Sequence, residues 1–433
     1  MRRPGSRCRR CSRKFSDRTA FFPVTDQSCR NCGAPLVRTF VDLGMSPLCE
    51  SYIREDRLNQ PEVFYPLHAY ICEQCYLVQL LQYVSPAQIF SEYAYFSSYS
   101  DSWNEHARRY CAAMAERFKL GSDSLVIEIA SNDGYLLQHF VDRRIPCFGV
   151  EPAANVAKVA VGRGIPTAVR FFGDAAAREL IHHPGRPNLL IGNNVLAHVP
   201  DLNDFIAGMK TLLKPDGVIT MEFPHLLRLM QQNQFDTIYH EHFSYFSFFV
   251  VEGAFARHGL TLFDVEELST HGGSLRIYAR HSEYTALSVS ESVHRLRALE
   301  LTLGFDQLKT YALFQEKVSE TKRKLLDFLI GAKRAGNRIV GYGAPGKGNT
   351  LLNYCGIRSD FLDYTVDRSQ YKQGQFTPGT HIPILHPDRI FHTRPDYVLI
   401  LPWNLAEEIS QQMSAIREWG GRFVVPIPEV RVL

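Results

Sequence analysis

Residues 125–137 read Leu-Val-Ile-Glu-Ile-Ala-Ser-Asn-Asp-Gly-Tyr-Leu-Leu. An apolar run interrupted only at Glu128 predicts a buried strand. The small and polar residues 130–133 predict a turn, and a helix is expected from about Gly134. The pattern repeats outward. Residues 145–151 give a second strand with an acid, Glu151, at its tip. Residues 188–201, Asn-Leu-Leu-Ile-Gly-Asn-Asn-Val-Leu-Ala-His-Val-Pro-Asp, give a third, with Asn193 among the polar residues at its carboxyl end. Residues 212–223 give a helix end, a turn and a further strand, while residues 104–119 set Ala107, Tyr110, Cys111, Met114 and Phe118 on one helical face. Strands alternating with helices make a doubly wound parallel α/β sheet, which binds its ligand beyond the carboxyl ends of its strands.

The chemistry of the first turn narrows that ligand. A pyrophosphate-binding turn reads G-x-G-x-x-G, but here Glu128, Ala130, Asn132, Asp133 and Gly134 make the turn acidic. Glu151 suits a ribose diol, since a carboxylate accepts from both hydroxyls. Acid in place of a phosphate nest points to a positively charged ligand, S-adenosylmethionine, rather than to a dinucleotide. The competing reading is a generic α/β domain with incidental turns.

The chain of 433 residues is 45% hydrophobic and 21% charged, which is room for about three domains of ordinary soluble composition. No stretch of roughly 18 apolar residues suggests a membrane span, and no apolar segment follows the basic N-terminus to make a secretory signal. The formal charge of +3 divides unevenly: residues 1–18 hold eight Lys/Arg against one acid, leaving 40 basic and 44 acidic groups for the remaining 415. Such an arm either binds nucleic acid or stays solvated. With no aromatic interleaving before Phe15 the solvated reading is preferred, and no nucleic-acid partner is expected.

Six of ten cysteines form C-x-x-C pairs: Cys8/Cys11, Cys29/Cys32 and Cys72/Cys75. Paired knuckles without a secretory signal argue for metal in a reducing, cytoplasmic setting. Two knuckles close a tetrahedral zinc site, so three leave a choice. Cys8/Cys11 lie in the arginine arm without apolar flanks. Cys32 precedes Gly33, and Cys72 and Cys75 join two strand-like pieces, so Cys29, Cys32, Cys72 and Cys75 are the expected ligands. Four thiolates leave no open position, which makes the zinc structural.

Residues 238–247, Ile-Tyr-His-Glu-His-Phe-Ser-Tyr-Phe-Ser, gather Tyr239, His240, Glu241 and His242. The spacing lacks the i, i+4 histidine pair of a zinc protease. It offers proton chemistry instead: a histidine beside a carboxylate titrates near neutrality, and a tyrosine can donate to an oxyanion. The alternative is a polar loop against an aromatic core.

Taken in order, the knuckles, the 128–134 turn, the Tyr-His-Glu-His-Phe run, Thr-His-Gly-Gly-Ser-Leu-Arg (270–276) and Gly-Tyr-Gly-Ala-Pro-Gly-Lys-Gly-Asn-Thr (341–350) resemble a known family. These are the bacterial S-adenosylmethionine-dependent sugar C-methyltransferases, which act on nucleotide-linked 4-keto-deoxyhexoses. The resemblance covers roughly residues 28–433. It implies a zinc-binding N-terminal domain, a central methyl-donor domain and a second Rossmann-like α/β domain that helps hold the nucleotide sugar. By position it assigns zinc to the four cysteines above, the methyl donor to the 128–134 turn and Glu151, and the reaction centre to Tyr93, His198, Tyr239, Glu241 and His242. Ala130 departs from the glycine common in methyltransferases, and its methyl fits if its φ is negative. The arm with Cys8/Cys11 lies upstream of the family pattern.

In the C-terminal third, residues 287–335 read as one long helical stretch with Leu301, Phe305, Leu308, Phe314, Val318, Leu325 and Phe328 as a core stripe. Gly341, Gly343 and Gly346 then form a nominal G-x-G-x-x-G, with Asp367 ending the next strand. Read alone, the 341–348 loop suggests an NAD(P)-dependent oxidoreductase. Pro345 interrupts the turn, however, and Lys347 with the loop amides suits the pyrophosphate of a nucleotide sugar.

The expected organisation is a basic extension (1–27), a zinc-binding domain (28–88), a methyltransferase domain (89–284) and a C-terminal nucleotide-sugar-binding domain (285–433). The expected reaction is C-methylation of a dTDP-linked 4-keto-deoxyhexose at C3 by a cytoplasmic monomer. His242 is the expected base, with Tyr239 as second candidate, and Glu241 orients its neighbours. Tyr239, Tyr93 and His198 are expected to hold the sugar and its oxyanion.

Overall fold

The computed structural model describes residues 27–90, 98 and 101–433. The basic arm with Cys8/Cys11 and Tyr93 lie outside the described residues.

Strands β1 (Arg38–Ser46), β2 (Tyr65–Ile71) and β3 (Val78–Leu80) form an antiparallel meander beside the two cysteine knuckles. Helix α1 (Asp101–Arg117) leads into β4 (Val126–Ile129), β5 (Cys147–Val150), α2 (Ala154–Gly162), β6 (Thr167–Ala168), β7 (Leu189–Asn193), α3 (Leu202–Leu212) and β8 (Val218–Pro224). Strand β9 (Ser244–Tyr245) leaves this domain to pair with β3 in the N-terminal sheet. After α4 (Phe248–Arg257), β10 (Leu260–Leu268) and β11 (Ser274–His281) return to the central sheet. Its order is β10-β11-β8-β7-β4-β5-β6, parallel from β8 through β6, with β11 antiparallel to both neighbours. Residues of β4, β5 and β7 are buried throughout, because helices cover both faces of such a sheet. The strand order reverses at β4, and the site opens there.

Helices α5 (Glu291–Thr302) and α6 (Phe314–Arg334) precede a second sheet of β12 (Ile339–Tyr342), β13 (Thr365–Val366), β14 (Ile384–Leu385), β15 (Tyr397–Ile400), β16 (Arg422–Val425) and β17 (Arg431–Val432), with α7 (Gly346–Cys355) after β12. Its order is β14-β13-β12-β15-β16-β17, parallel except for β17. A zinc-binding domain, a methyltransferase sheet and a second Rossmann-like sheet therefore follow one another, as expected. The short pair Ile53–Arg54 and Gln375–Phe376 ties the first to the third.

Two local expectations fail for stated reasons. No helix starts at Gly134: Asn132 and Gly134 take φ of 51° and 78°, and helix begins only at Gln138–Val141. The 287–335 stretch is broken into α5, a short turn at Leu308–Tyr311 and α6. Gly304 (φ 78°) ends α5, with Phe305 N–H donating to Glu300 C=O and Gly304 N–H to Leu301 C=O, a Schellman closure. Leu301 consequently faces solvent while Phe305 is buried. Glu300, itself buried, accepts from the Phe248 and Phe249 amides at 2.8 and 2.7 Å and so caps the N-terminus of α4.

Candidate active site

The metal centre is compact. The sulfurs of Cys29, Cys32, Cys72 and Cys75 lie within 4.8 Å of one another, with Cys29–Cys75 and Cys32–Cys72 at 3.5 Å. Zn–S bonds of about 2.3 Å require tetrahedral edges of about 3.8 Å, so the four match a zinc ion's needs. Gly33 (φ 77°) turns under Cys29, its amide donating to Cys29 C=O at 2.7 Å. Gln79 Nε2 donates to Cys29 Sγ at 3.1 Å. The Cys75 thiol beside it holds Cys29 down at about 4, while burial pushes Cys72 up to about 11. Crowded thiols ionise at one another's expense, and a divalent cation removes that conflict.

At the carboxyl edge of the central sheet a cavity of about 400 Å³ opens between the methyltransferase and C-terminal domains, a volume suited to a small molecule. Ala130, Asn132, Glu151 and Asn193 line one end. Glu151 Oε2 accepts from the Asn132 amide at 2.9 Å and Oε1 from the Ala153 amide at 2.8 Å. Each carboxylate oxygen retains a further lone pair for a diol. Asn193 Oδ1 is buried without a hydrogen-bond partner among the described residues. Behind this wall Glu128 is fully buried, and burial together with Glu151, Asp133 and Glu222 drives it strongly toward its neutral form. The acid that lines the cavity itself is Glu151, an acceptor suited to a ligand that brings hydroxyl or ammonium donors. Asp133 is taken up by Ser98 and by Arg163, 3.4 Å away, and Gly134 packs against Ile165 and Ala160. Glu128, Asp133 and Gly134 therefore shape the wall from behind. The condition placed on Ala130 is not met, since its φ is 56°.

Two short turns carry the reaction-centre candidates. The Leu196–His198 turn ends on His198, and the segment after the Phe235–Thr237 turn carries Tyr239, Glu241 and His242. Phe243 N–H donates to Ala197 C=O at 2.7 Å, bracing one against the other. His242 lies 4.1 Å from the Tyr239 ring and 4.7 Å from His198, centroid to centroid. His242 Nδ1 is 2.9 Å from Thr237 C=O, which fixes the proton on Nδ1 and leaves the Nε2 lone pair free to act. Burial lowers the pKa of His242 well below the usual imidazole value and takes His198 down to about 4, so both rings are neutral at neutral pH. Burial also raises Tyr239, keeping its hydroxyl a donor. Cys49 Sγ lies 3.8 Å from Glu241 Oε1. His240 leaves the cluster, with Nε2 at 3.2 Å from Pro66 C=O in the N-terminal sheet.

The far end of the cavity belongs to the start of α7, with Pro345, Gly346 and Lys347 in its wall. Lys347 Nζ donates to Asn404 Oδ1 at 2.8 Å and sits 4.8 Å over the Trp403 ring. Burial lowers its pKa, against which buried Asp236, itself raised to about 6, acts. The glycines of this loop do not open a dinucleotide cradle. A Cβ on Gly343 would stand 2.5 Å from Pro402, on Gly348 2.9 Å from Leu401, and on Gly346 2.9 Å from Cys49. Asp367 is occupied by the amides of Ala344 and Ser369, both at 2.8 Å.

Sequence reasoning missed several wall residues: Glu50, Trp103, Phe171, His271 and Lys372. Only His271 carried a local signal. It stands with φ of 54° before two positive-φ glycines, 272 and 273, in a turn that the Thr-His-Gly-Gly run announces.

A zinc binding domain profile matches residues 29–90, a methyltransferase domain profile residues 103–265, and a C-methyltransferase C-terminal domain profile residues 269–428. The C-methyltransferase NovU of Streptomyces niveus is 35% identical over 405 residues, 94% of this chain and 96% of that one. Among solved structures, the PH0226 protein of Pyrococcus horikoshii covers 45% of this chain and 97% of its own at TM-score 0.36 and 15% identity. The magnesium protoporphyrin IX methyltransferase of Synechocystis covers 41% and 78% at TM-score 0.31 and 13% identity. With three domain profiles in sequence and a relative matched over nearly its whole length, the chain belongs to the C-methyltransferase family and is a methyltransferase with a four-cysteine zinc centre.

Proposed function

We propose that the enzyme methylates a carbon flanking the C4 ketone of a dTDP-linked 4-keto-deoxyhexose, C3 in the sequence reading, as a step of deoxysugar and antibiotic biosynthesis. The observation that carries this reading is the His242 hydrogen bond from Nδ1 to Thr237 C=O at 2.9 Å, which leaves Nε2 unprotonated in a cavity wall shared with His198, Tyr239 and Glu241. Such a histidine is built to accept a proton.

Ala130, Asn132, Glu151 and Asn193 would hold S-adenosylmethionine, with Glu151 on the ribose. The donor supplies an electrophilic methyl group. His242 takes the proton α to the ketone, giving an enolate. Because burial weakens His242 as a base, donors to the developing oxyanion must carry much of the step. Tyr239 and Tyr93 are the proposed donors, neutral His198 lines the sugar's site beside His242, and Glu241 orients them. Lys347 and the amides at the start of α7 take the nucleotide diphosphate, with Pro345 shaping that end. The enzyme is proposed to act as a monomer. The paired cysteine knuckles, read as a metal site, support a reducing cytoplasmic setting. Among the described residues no helix is long and apolar enough to cross a membrane.

Replacing His242 by Asn is expected to lower turnover at least ~100-fold with donor affinity by calorimetry unchanged. Near-wild-type turnover would remove His242 as base. A Tyr239→Phe variant that alone abolishes proton exchange at the α carbon would transfer that role to Tyr239. Incubation with a panel of dTDP-4-keto sugars, read by mass spectrometry for one added methylene, tests the substrate class. Product NMR separates C3 from C5, which flanks the same ketone.

A further inference from the structure

Arg30 sits inside the Cys29/Cys32 knuckle, where nothing about metal binding calls for a guanidinium. Its backbone N–H and Nε donate to Gln79 Oε1 at 3.0 and 3.3 Å, and Gln79 in turn donates to Cys29 Sγ. Its two terminal nitrogens reach away from the metal. Nη1 donates to Pro200 C=O at 3.0 Å and Nη2 to Leu80 C=O. The guanidinium also lies 5.3 Å over the Phe243 ring. Pro200 stands two residues beyond His198, and Phe243 directly follows His242. Leu80 closes the circuit, since its amide donates to Phe243 C=O at 3.0 Å. Among the described residues, none of the hydrogen-bond acceptors of this side chain is a carboxylate. A zinc ion with four thiolates carries a net charge of −2, so the metal centre is the adjacent anion.

We infer that Arg30 is a positioning residue that couples the zinc centre to the reaction centre, holding the 196–200 and 239–243 turns in the relation that brings His198 and His242 together. The fork geometry matters. Only a planar guanidinium reaches two carbonyls in different segments, Leu80 at the end of β3 and Pro200 after the 196–198 turn, while its Nε is anchored on Gln79. On this inference zinc does more than stabilise the N-terminal fold: it sets the frame from which the two catalytic turns are hung. The inference rests on the proposal that those turns carry the reaction centre.

The test compares full-length wild type with Arg30→Lys and Arg30→Ala by three readouts: zinc per chain by elemental analysis, amide hydrogen exchange, and steady-state kinetics. The expected result for both variants is full zinc content and faster exchange at the Phe243 and Leu80 amides. A tenfold or larger fall in kcat is expected, with KM for S-adenosylmethionine changed by less than threefold and Arg30→Lys the milder variant. Loss of zinc in both variants would overturn the inference in favour of a role confined to the knuckle. Unchanged exchange at Phe243 and Leu80 would overturn it directly. Faster exchange with unchanged kcat would instead overturn the placement of the reaction centre on these turns, and the inference with it. A wild-type sample stripped of zinc by chelator gives an independent readout without turnover, and exchange at the same two amides is expected to rise there as well.

Discussion

The two parallel sheets use the same device at their switch points and put it to different ends. After β4, the turn at residues 130–134 sends the Asn132 amide to Glu151 at the tip of β5, and Glu151 also accepts from Ala153 two residues on. After β12, the turn at residues 343–346 sends the Ala344 amide to Asp367 at the tip of β13, and Asp367 also accepts from Ser369 two residues on. An acid at the end of the neighbouring strand is thus first a clamp on its own backbone. Both turns reach the cavity, and what differs is what they present to it. The first lines it with Ala130 and Asn132, whereas the second brings Pro345 and Gly346 from a glycine loop that is filled from within by Pro402, Leu401 and Cys49. A glycine motif alone does not say whether ligand or protein will occupy the room it leaves.

The largest effect that separates the two acids is on donor binding. On the proposed placement of the donor's ribose, Glu151→Ala removes a charged acceptor of two diol hydrogen bonds, each worth about 1.5–3 kcal/mol. S-adenosylmethionine affinity by calorimetry should therefore fall ~100-fold or more, while Asp367→Ala changes it less than about threefold. Equal losses would erase the distinction. Next comes Gly343→Ala, which combines a φ of 85° with a Cβ 2.5 Å from Pro402. Strain and overpacking together should cost roughly 2–4 kcal/mol in denaturant unfolding. A near-neutral result would mean that the second turn has room after all.

A smaller effect is electrostatic. His198, His240 and His271 are each held near 4 by burial, below the unfolded value of about 6.5. The unfolded chain binds these protons first, so their contribution is intact above about pH 6.5 and is lost as pH falls toward 4. His240 lies outside the cavity cluster and makes a clean probe. In His240→Gln the slope of unfolding free energy against pH between 6 and 4.5 should be shallower by about 1 kcal/mol per pH unit. An unchanged slope would mean that His240 is protonated in the native state. The smallest effect concerns Ala130, held at φ 56°. Ala→Gly in ordinary backbone loses up to about 1 kcal/mol, but Ala130→Gly should be neutral or stabilising by up to about 1 kcal/mol.

Much of this molecule was legible in its residues. Buried strands such as 126–129 and 189–193 declare themselves because both faces are covered and apolar residues run on without alternation. The four cysteines declare themselves by their C-x-x-C pairing and by the glycine and strand-like flanks that the Cys8/Cys11 pair lacks, and the 270–273 turn by its paired glycines. Other features resist a linear reading. The break at Gly304 is hidden within a helical periodicity that continues on both sides of it. His240 and His242 are indistinguishable in sequence, yet a turn sends one to Pro66 and the other to the cavity. Glu50 and Lys372 meet across 322 positions, 3.6 Å apart, and no local pattern foretells that. Arg30 carries no local mark that separates it from any other cation beside a metal knuckle.

Strand β9 has a consequence for how the protein can be made. The N-terminal sheet takes its fourth strand from residues 244–245, so the domain synthesised first is completed only after some 150 further residues have left the ribosome. Until then β3, with its three buried residues, presents an unpaired apolar edge, the kind of surface that invites pairing with a stranger. The interleaving makes the zinc domain a poor unit to express by itself. It also ties the order of synthesis to catalysis, because the segment that finishes the first domain is the one that begins just after His242.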